Sequence, residues 1–499
     1  MNEPTASMQD LASRPPDICR ADARKFILFS AILASSLGFI DGSMVSIALP
    51  SIREALNGSL AQAQWISNGY LLPLAALLLV GGAIGDRFGL ARVFAFGISV
   101  FVLASVGCII SPSAEFMIGS RVVQGIGAAF MIPGSLALIS RTYPPSERGR
   151  AIGIWAASSA VTSALGPIIG GLVLSFGNEE AWRTIFAINL PLGGAALFLL
   201  KRNVQNDPAQ PDRGVDVTGA ALATFGLGTI AVALTGMGDG SVFGFNTTLM
   251  ALIGMMVLGF FIFAEHISPH PMLPLNLFSD MRFLSANILS FLIYFSFSAV
   301  LFYLPMTLVG AWGEPEINTA AAYAPLSIFI ALLSGPAGKL SDRYSPCFLL
   351  ITGSFILAVG YAALAFAIPT QDFWGRVLPA MVCQGIGMGL VVAPVSNVIM
   401  GSVTPSLSGT ASGVNNAVTR IAGLLAVASM GYVVSGVYTA SNGPESYGAL
   451  APSPEHAIAS NAAFVRVCII ASVSCAIAML FACVWRQDPN HGNKDKPTA

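Results

Sequence analysis

The stretch Gly-Ala-Ile-Gly-Asp-Arg-Phe-Gly at residues 82–89 decides the fold of this chain, because a close copy follows 256 positions later (338 − 82 = 256). That copy is Gly-Lys-Leu-Ser-Asp-Arg-Tyr-Ser at residues 338–345. Each copy follows one apolar run long enough to cross a bilayer and precedes another. A Gly-x-(Ile/Leu)-x-Asp-Arg turn that recurs between membrane helices predicts an internally duplicated transporter.

The composition excludes a soluble enzyme. The chain is 55% hydrophobic and 10% charged, with a mean hydropathy of +0.73, whereas globular domains have about 45–50% apolar and about 25% charged residues. A net charge of −1 gives no indication of nucleic-acid binding. The seven cysteines lack the spacing of metal ligands, and no phosphate-binding loop is present because Leu340 follows Gly338 and Lys339 where Ser or Thr must hold magnesium. We expect no catalytic residue, no metal and no cofactor.

Near-continuous apolar runs of about 17–25 residues predict the membrane helices. There are fourteen such runs, at residues 26–49, 65–84, 93–111, 116–139, 149–175, 183–200, 216–235, 246–264, 283–308, 319–340, 347–368, 376–400, 409–437 and 462–485. An even number of crossings places both chain ends on one side of the membrane. The predicted fold class is an all-α polytopic membrane protein with fourteen transmembrane helices.

The repeated turn defines how these helices are organised. Its copies join helices 2 and 3 and helices 10 and 11, an offset of eight, whereas a plain six-plus-six duplication gives an offset of six. Two helices are therefore inserted between the halves, and the seventh and eighth fit because polar and proline-rich segments flank them. We expect an N-terminal tail at 1–25, a six-helix bundle at 26–200, a linker with two extra helices at 201–282, a second six-helix bundle at 283–485 and a tail at 486–499.

Lysine and arginine orient the chain. Eighteen of the 24 lie in the tails and in the loops on the side of the chain ends, whereas the opposite loops hold four: Arg53, Arg183, Arg376 and Arg466. The positive-inside rule then predicts that both termini are cytoplasmic. We expect a multi-pass protein of the cytoplasmic (inner) membrane, with the lipid bilayer as a partner.

Five stretches follow one another along the first half. They are Ile-Asp-Gly-Ser-Met-Val-Ser-Ile-Ala-Leu-Pro at 40–50, the turn with its continuation at 82–92, Arg-Val-Val-Gln-Gly-Ile-Gly-Ala-Ala at 121–129, Gly-Pro-Ile-Ile-Gly-Gly at 166–171, and Trp-Arg-Thr-Ile-Phe-Ala-Ile-Asn-Leu-Pro at 182–191. In this order they resemble the motifs of the major facilitator superfamily, specifically its fourteen-helix drug:proton antiporters of the multidrug efflux type. One departure is that Leu90 and Ala91 replace the basic residues usual in the second stretch. The resemblance implies two six-helix bundles, two inserted helices and transport by alternating access.

Asp41 is a carboxylate well inside a predicted helix, where its charge costs about 2.5–3.5 kcal/mol on insertion scales. It lies eight residues before the outer end of helix 1 (49 − 41 = 8), and Gln124 lies eight residues into helix 4 (124 − 116 = 8). Both are about 12 Å deep, and Arg121 is one turn above Gln124 on the same face. We expect these three to form a cluster that couples one proton to substrate. The alternatives are an Asp41 fixed by hydrogen bonds and a purely structural Arg121.

By the same resemblance, the repeated turn is the cytoplasmic gate, whose charges pair with helix ends and neighbouring bases in the outward-facing state. The expected gate residues are Asp86, Arg87, Arg141, Asp342 and Arg343. Solvated turn charges are the alternative, and recurrence in both halves argues against it. In helix 5, a packing and bending role is expected for Gly166, Pro167, Gly170 and Gly171. The resemblance adds a role of this segment in blocking leak.

Two helices of the second half offer a substrate pocket. Helix 9 presents aromatic bulk with polar tips, which suits large apolar substrates, at Asn287, Phe291, Tyr294, Phe295 and Ser298. Helix 13 adds Arg420 near mid-membrane, with Asn415 and Asn416 one turn below, and we include Asn415 and Arg420 in the predicted pocket. Arg420 receives either an acidic substrate group or water, or else bonds backbone carbonyls in a structural role. Ordinary core or lipid-facing aromatics are the alternative for helix 9.

We therefore expect a secondary transporter that exports hydrophobic or amphipathic small molecules in exchange for protons. One alternative is a dedicated exporter of an endogenous product such as an antibiotic, siderophore or metabolite. Another is a non-transporting receptor, against which the short tails argue. The longest outer segment, at 439–461, is where a periplasmic adaptor with an outer-membrane channel would dock, and the sequence leaves its existence open.

Overall fold

The computed structural model describes residues 19–482. The exceptions are residues 179, 206, 208, 210–213, 238–240, 243–244, 344 and 405–406, together with the side chains at 145, 160, 163, 164, 241, 242 and 342. The predicted C-terminal tail and most of the N-terminal tail therefore lie outside the described residues.

Long helices make up nearly all of the described chain. They are α1 Arg24–Ala55, α2 Leu60–Phe88, α3 Leu90–Ile109, α4 Ala114–Thr142, α5 Pro145–Phe176, α6 Trp182–Asn203, α7 Val217–Thr235, α8 Thr247–Ile267, α9 Met281–Ala311, α10 Glu316–Arg343, α11 Pro346–Ala367, α12 Leu378–Gly401, α13 Ser408–Ala440 and α14 Pro454–Ala482. Of the described helices, thirteen are long and apolar enough to cross a membrane. In α5 the apolar stretch found is the shorter Leu165–Phe176, so a fourteenth crossing stays a prediction.

The all-α prediction is confirmed, with one small addition. Between α7 and α8 the chain forms two short antiparallel strands, β1 Ser241–Val242 and β2 Phe245–Asn246. The helices also extend beyond the apolar runs that predicted them: α2 begins five residues earlier than expected. A capping box explains that start, because Ser59 Oγ accepts from the Gln62 backbone N–H and the Gln62 side chain accepts from the Ser59 N–H. Apolar runs report the lipid core, whereas polar caps set the helix ends.

The repeated turn is tight because α2 and α3 are separated by one residue. Gly89 has a φ of +105°, a conformation that residues with a Cβ rarely adopt. We call this end of the molecule, with the α2–α3 turn, the Asp86 end. The opposite end, where α1 finishes, is the Arg53 end.

Helices α4 and α12 occupy equivalent places in the two halves. Each packs closely on the second helix of its own half, α2 or α10, and on the third, α3 or α11. Both carry the sequence Gln-Gly-Ile-Gly, at 124–127 and 384–387. A Cβ on Gly125 would lie 2.4 Å from a backbone oxygen of α2, and one on Gly385 would lie 2.6 Å from a backbone oxygen of α10. Only glycine permits this approach, so the two halves share the same backbone contact.

The halves meet through α1 with α9, α2 with α13 and α5 with α10. The two inserted helices stand beside this arrangement: α7 packs on α8 and also on α2 and α13. Large apolar side chains of α8 face outward, among them Met255, Phe260 and Phe263, each more than half exposed. Such a surface fits a helix in contact with lipid.

Candidate functional site

Asp41 lies fully buried at the centre of a hydrogen-bonded cluster in the first half. Its Oδ2 accepts from Arg121 Nη1 at 2.5 Å. Its Oδ1 accepts from Gln124 Nε2 at 2.9 Å and from Asn189 Nδ2 at 3.0 Å. The structure thus brings together the three residues that helix depth predicted, and it adds Asn189 from α6. An ion pair held in this way is stable because each charge is compensated and hydrogen-bonded.

Arg121 is held on every side. Its Nε donates to the Ile66 carbonyl of α2 at 3.1 Å, and its Nη1 also donates to Gln124 Oε1 at 2.5 Å. The Tyr70 ring lies 4.5 Å from the guanidinium carbon and the Phe186 ring 5.9 Å from it. These contacts tie α4 to α2 and α6, so neutralising Asp41 would alter the packing of several helices.

Two further residues of the cluster have no signal in the apolar pattern. Ser105 Oγ of α3 accepts from Gln124 Nε2 at 3.0 Å and from Asn189 Nδ2 at 3.2 Å. Tyr70 is the aromatic partner of Arg121. Asn189 lies in the fifth quoted stretch, at 182–191, which is the signal that could have found it. Ser105 and Tyr70 are single polar positions in apolar runs, and only the packing reveals them.

The glycines of α5 allow this helix to pack closely on α1 near the Asp41 cluster. A Cβ on Gly166 would lie 2.0 Å from Ser43 Oγ, and one on Gly170 would lie 3.4 Å from Met44. A Cβ on Gly171 would meet the Glu316 carbonyl of α10 at 2.9 Å. Pro167 lies inside the helix. The segment therefore packs on α1, two residues from Asp41, and on the other half at the same time.

At the Asp86 end, the Asp86 side chain forms an ion pair with Arg141 of α4. Arg87 lies 5.5 Å from the neighbouring Phe88 ring, and Arg343 is exposed at the end of α10. The side chain of Asp342 lies outside the described residues. The expectation placed the pairing of Asp86 in the outward-facing state, but here the pair exists beside a cavity that opens at this same end. Because Asp86 and Arg141 both belong to the first half, this ion pair can form whether or not the two halves are closed against each other at the Asp86 end.

The linker contributes a contact that the sequence did not predict. Asp207, between α6 and α7, accepts from the first free backbone groups of α3, with Oδ1 on Ala91 N at 3.0 Å and Oδ2 on Arg92 N at 2.8 Å. A carboxylate here caps the helix and meets the positive end of its dipole. The Asp207 carboxylate therefore contacts the same turn in which Leu90 and Ala91 depart from the family pattern.

A cavity of about 1150 Å³ lies between the halves. Helices α1, α2, α4 and α5 of the first half line it, together with α9, α10, α12 and α13 of the second. Asp86, Gly409 of the first turn of α13 and His270 of the α8–α9 segment also line it, so it opens at the Asp86 end. Its size suits a drug-sized ligand.

The predicted pocket residues divide into two groups. Those that line the cavity are Tyr294, Ser298 and Arg420. Those that do not line it are Asn287, Phe291, Phe295 and Asn415. Only one end of the α9 stripe reaches the cavity, because the other end is packed within the second half.

The details of the second group show why. Asn287 is buried and donates to the Phe283 carbonyl at 2.8 Å, and the Phe291 and Phe295 rings stack at 6.1 Å. In α13, Asn416 lines the cavity in place of its neighbour Asn415. Successive helical residues point about 100° apart, so a one-residue error changes the face.

The Arg53 end is closed. Arg53 Nη1 donates to the Tyr447 carbonyl at 2.5 Å, which fastens the loop between α13 and α14 to α1. Gln64 Nε2 of α2 donates to Tyr303 Oη at 2.9 Å and to the Val427 carbonyl at 2.5 Å. These buried bonds join the first half to α9 and α13, so the cavity is accessible from one end alone in the described part of the chain.

Comparison with known proteins supports this architecture. The chain is 30% identical over 414 residues to the methylenomycin A resistance protein of Bacillus subtilis, covering 81% of this chain and 87% of that one. It is 30% identical over 403 residues to the tetracenomycin C resistance and export protein of Streptomyces glaucescens, covering 79% and 73%. The multidrug resistance protein Stp of Mycobacterium tuberculosis is 28% identical over 421 residues, covering 83% and 77%.

Solved structures agree on the fold. A bacterial homologue of the human lysosomal transporter Spinster, in an inward-facing and unoccupied conformation, matches with a TM-score of 0.68 at 19% identity and covers 93% of this chain and 97% of that chain. A D-xylose–proton symporter matches with a TM-score of 0.64 at 16% identity, covering 92% and 97%. The family model described as Major Facilitator Superfamily matches residues 31–427. This chain, with its multi-pass helical architecture, belongs to the major facilitator superfamily.

Proposed function

We propose that this protein exports hydrophobic or amphipathic small molecules from the cytoplasm in exchange for protons. The observation that carries the proposal is the buried Asp41–Arg121 pair, which stands beside a drug-sized cavity open at one end. The relatives named for resistance to methylenomycin A and for export of tetracenomycin C support the direction and the type of substrate. The chain acts as a transporter and not as an enzyme.

Placement in the membrane follows from the charge pattern. We propose a cytoplasmic (inner) membrane location with both termini in the cytoplasm, so that the Asp86 end faces the cytoplasm. Residues 26–200 and 283–485 are the two bundles that rock against each other, and 201–282 is the linker. A periplasmic adaptor with an outer-membrane channel would meet the Arg53 end. Nothing in the described part of that loop requires one, since the loop is fastened inward by Arg53.

The proposed cycle uses the buried pair as the proton site. In the inward-facing state substrate enters the cavity from the Asp86 end, Asp41 releases its proton to the cytoplasm, and Arg121 holds the ionised carboxylate. Opening of the Arg53 end releases substrate and protonates Asp41, which frees Arg121 and drives the return. One proton moving through 100 mV and half a pH unit supplies about 3 kcal/mol, which sustains roughly a 150-fold gradient of a neutral substrate.

Asp86, Arg87, Arg141, Asp342 and Arg343 act as the gate in this proposal, and Gly166, Pro167, Gly170 and Gly171 hold α5 against α1 and α10. A second candidate is a dedicated exporter of one endogenous product. It is favoured by the relatives named for a single antibiotic. A profile with one strongly preferred compound, rather than many comparable ones, would support it.

The test is proton movement in proteoliposomes that contain a pH-sensitive dye. With wild-type protein, addition of the neutral probe N-phenyl-1-naphthylamine should release protons on the side of the membrane where the probe is added, because each transported probe molecule is exchanged for a proton. Asp41→Asn should abolish this exchange. Asp22→Asn serves as the matched control, because that carboxylate is 77% exposed outside the cluster. Proton-coupled transport that survives Asp41→Asn would refute the assignment.

A further inference from the structure

The charges that line the cavity are unevenly placed. Among the described lining residues, the charged side chains are Asp86, Asp216 and Arg420. Asp86 lies at the open end and is paired with Arg141, and Asp216 lies at the N-cap of α7 in the linker. Arg420 lies twelve residues into α13 (420 − 408 = 12), about 18 Å from the start of that helix. The deep part of the cavity therefore carries a positive charge.

Arg420 differs from Arg121 in its contacts. Within the described part of the chain, no hydrogen bond or ion pair joins the Arg420 guanidinium to another residue, whereas Arg121 is fully engaged. A guanidinium offers five N–H donors and no acceptor. An uncompensated cation at this depth is costly, which makes it a functional group with a missing partner. The carbonyl-bonding role left open by the sequence is not what the structure shows.

Hydrogen-bonding side chains line the same cavity as Arg420. The lining residues of the second half that offer hydroxyl or amide groups include Ser298 of α9, Ser327 of α10, and Asn416 and Thr419 of α13. Asn416 is one turn before Arg420 on the same face. Tyr294 of α9 lines the same cavity. An arginine with flanking hydrogen-bond donors recognises a carboxylate or sulfonate by paired hydrogen bonds.

A cationic ligand finds no corresponding partner. Asp41 is fully buried, accepts three hydrogen bonds and does not line the cavity. Tyr70 stacks on Arg121 and does not line the cavity either. The acids that do line the cavity, Asp86 and Asp216, are near its open end.

We propose that the exported compounds are amphipathic acids, with an apolar body in the cavity and one carboxylate or sulfonate bound by Arg420. This inference rests on the proposed export function and names its substrate class. The apolar lining, with Phe39, Leu71, Phe297 and Met388, holds the body, and Arg420 selects the charge. Neutral compounds bind without this contact, and permanent cations bind least.

The test compares two probes with the same rings, the anionic 1-anilinonaphthalene-8-sulfonate and the neutral N-phenyl-1-naphthylamine. Binding is measured by fluorescence on purified protein in nanodiscs, with empty nanodiscs subtracted. Wild type should bind the anion at least tenfold more tightly than the neutral probe. Arg420→Gln should lose that preference while its affinity for the neutral probe stays within about twofold. Arg420→Lys should keep part of the preference, because the charge remains.

The control is Arg376→Gln, which removes an exposed arginine at the Arg53 end and should leave both affinities unchanged. Equal or tighter binding of the neutral probe by wild type would overturn the inference, even if no Arg420 variant folds. An unchanged preference in Arg420→Gln would overturn it too. Failure of the export function is a separate result, namely that neither probe exchanges with protons in proteoliposomes although the anion preference is present.

Discussion

The fourth helix of each half offers a direct comparison. Helices α4 and α12 carry the same Gln-Gly-Ile-Gly sequence and approach their neighbours with the same glycine contact, at an offset of 260 residues (384 − 124 = 260). Counted from that sequence, Arg121 corresponds to Met381, and Arg141 corresponds to Gly401. The duplicated halves therefore keep one backbone packing, while the arginines that pair with Asp41 and Asp86 have no counterpart at the corresponding positions of α12.

The two glutamines make the same point. Gln124 donates to Asp41 and to Ser105. Gln384 is equally buried, and its Nε2 has no partner among the described residues. In the second half the polar group persists without the charge that it would bind. Close packing is common to both halves, whereas the proposed proton site lies in the first half.

The largest effect should come from making the first half resemble the second. Arg121→Met leaves Asp41 buried without its cation, which costs about 3–5 kcal/mol of stability. We expect a large fall in the unfolding temperature and complete loss of proton exchange. The double variant Arg121→Met with Asp41→Asn should recover stability but not transport, because no buried charge is then uncompensated. Equal unfolding temperatures of the single and double variants would contradict the expectation that Arg121 stabilises the protein by compensating the Asp41 charge.

An intermediate effect should appear in both halves alike. Gly125→Ala and Gly385→Ala each force a Cβ against a backbone oxygen of the neighbouring helix, and overpacking of this kind costs about 1–3 kcal/mol. The matched control is Gly119→Ala in α4, where nothing lies within 4 Å of the added Cβ, and there a slight gain is expected. Thermal unfolding in detergent measures all three. A loss in only one half would mean that the shared sequence does not produce shared packing.

The smallest effect should separate the two turns. Arg141→Gln removes a partly exposed ion pair, worth about 1 kcal/mol or less, and salt should reduce this difference. Asn397→Ala removes a neutral hydrogen bond to Ser341 Oγ of 2.9 Å at the second copy, and its effect should not depend on salt. Unfolding temperatures between about 0.05 M and about 0.5 M NaCl compare the two. If the unfolding temperatures of the two variants changed equally with salt, the Asp86–Arg141 contact would not differ in ionic character from the hydrogen bond at the second turn.

Much of this arrangement could be predicted from the sequence, and the remainder has physical reasons. Apolar runs predicted where helices lie, and residue depth brought Asp41, Arg121 and Gln124 together. Depth contains no information on rotation between helices, so Asn287 and Asn415 were assigned to a cavity that they do not line. Ser105 is a further case, because one hydroxyl in an apolar run is visible only once α3 is placed beside α4.

The Asp207 cap has a consequence for any attempt to remove the two inserted helices. Its carboxylate belongs to the linker, yet it caps the first turn of α3 in the first half. A twelve-helix version made by joining Asn203 directly to Met281 would thus lose more than two lipid-facing helices. It would leave the amide groups after Gly89 without their acceptor, at a place where the usual basic residues are already absent. The inserted segment therefore contributes directly to the structure of the first half.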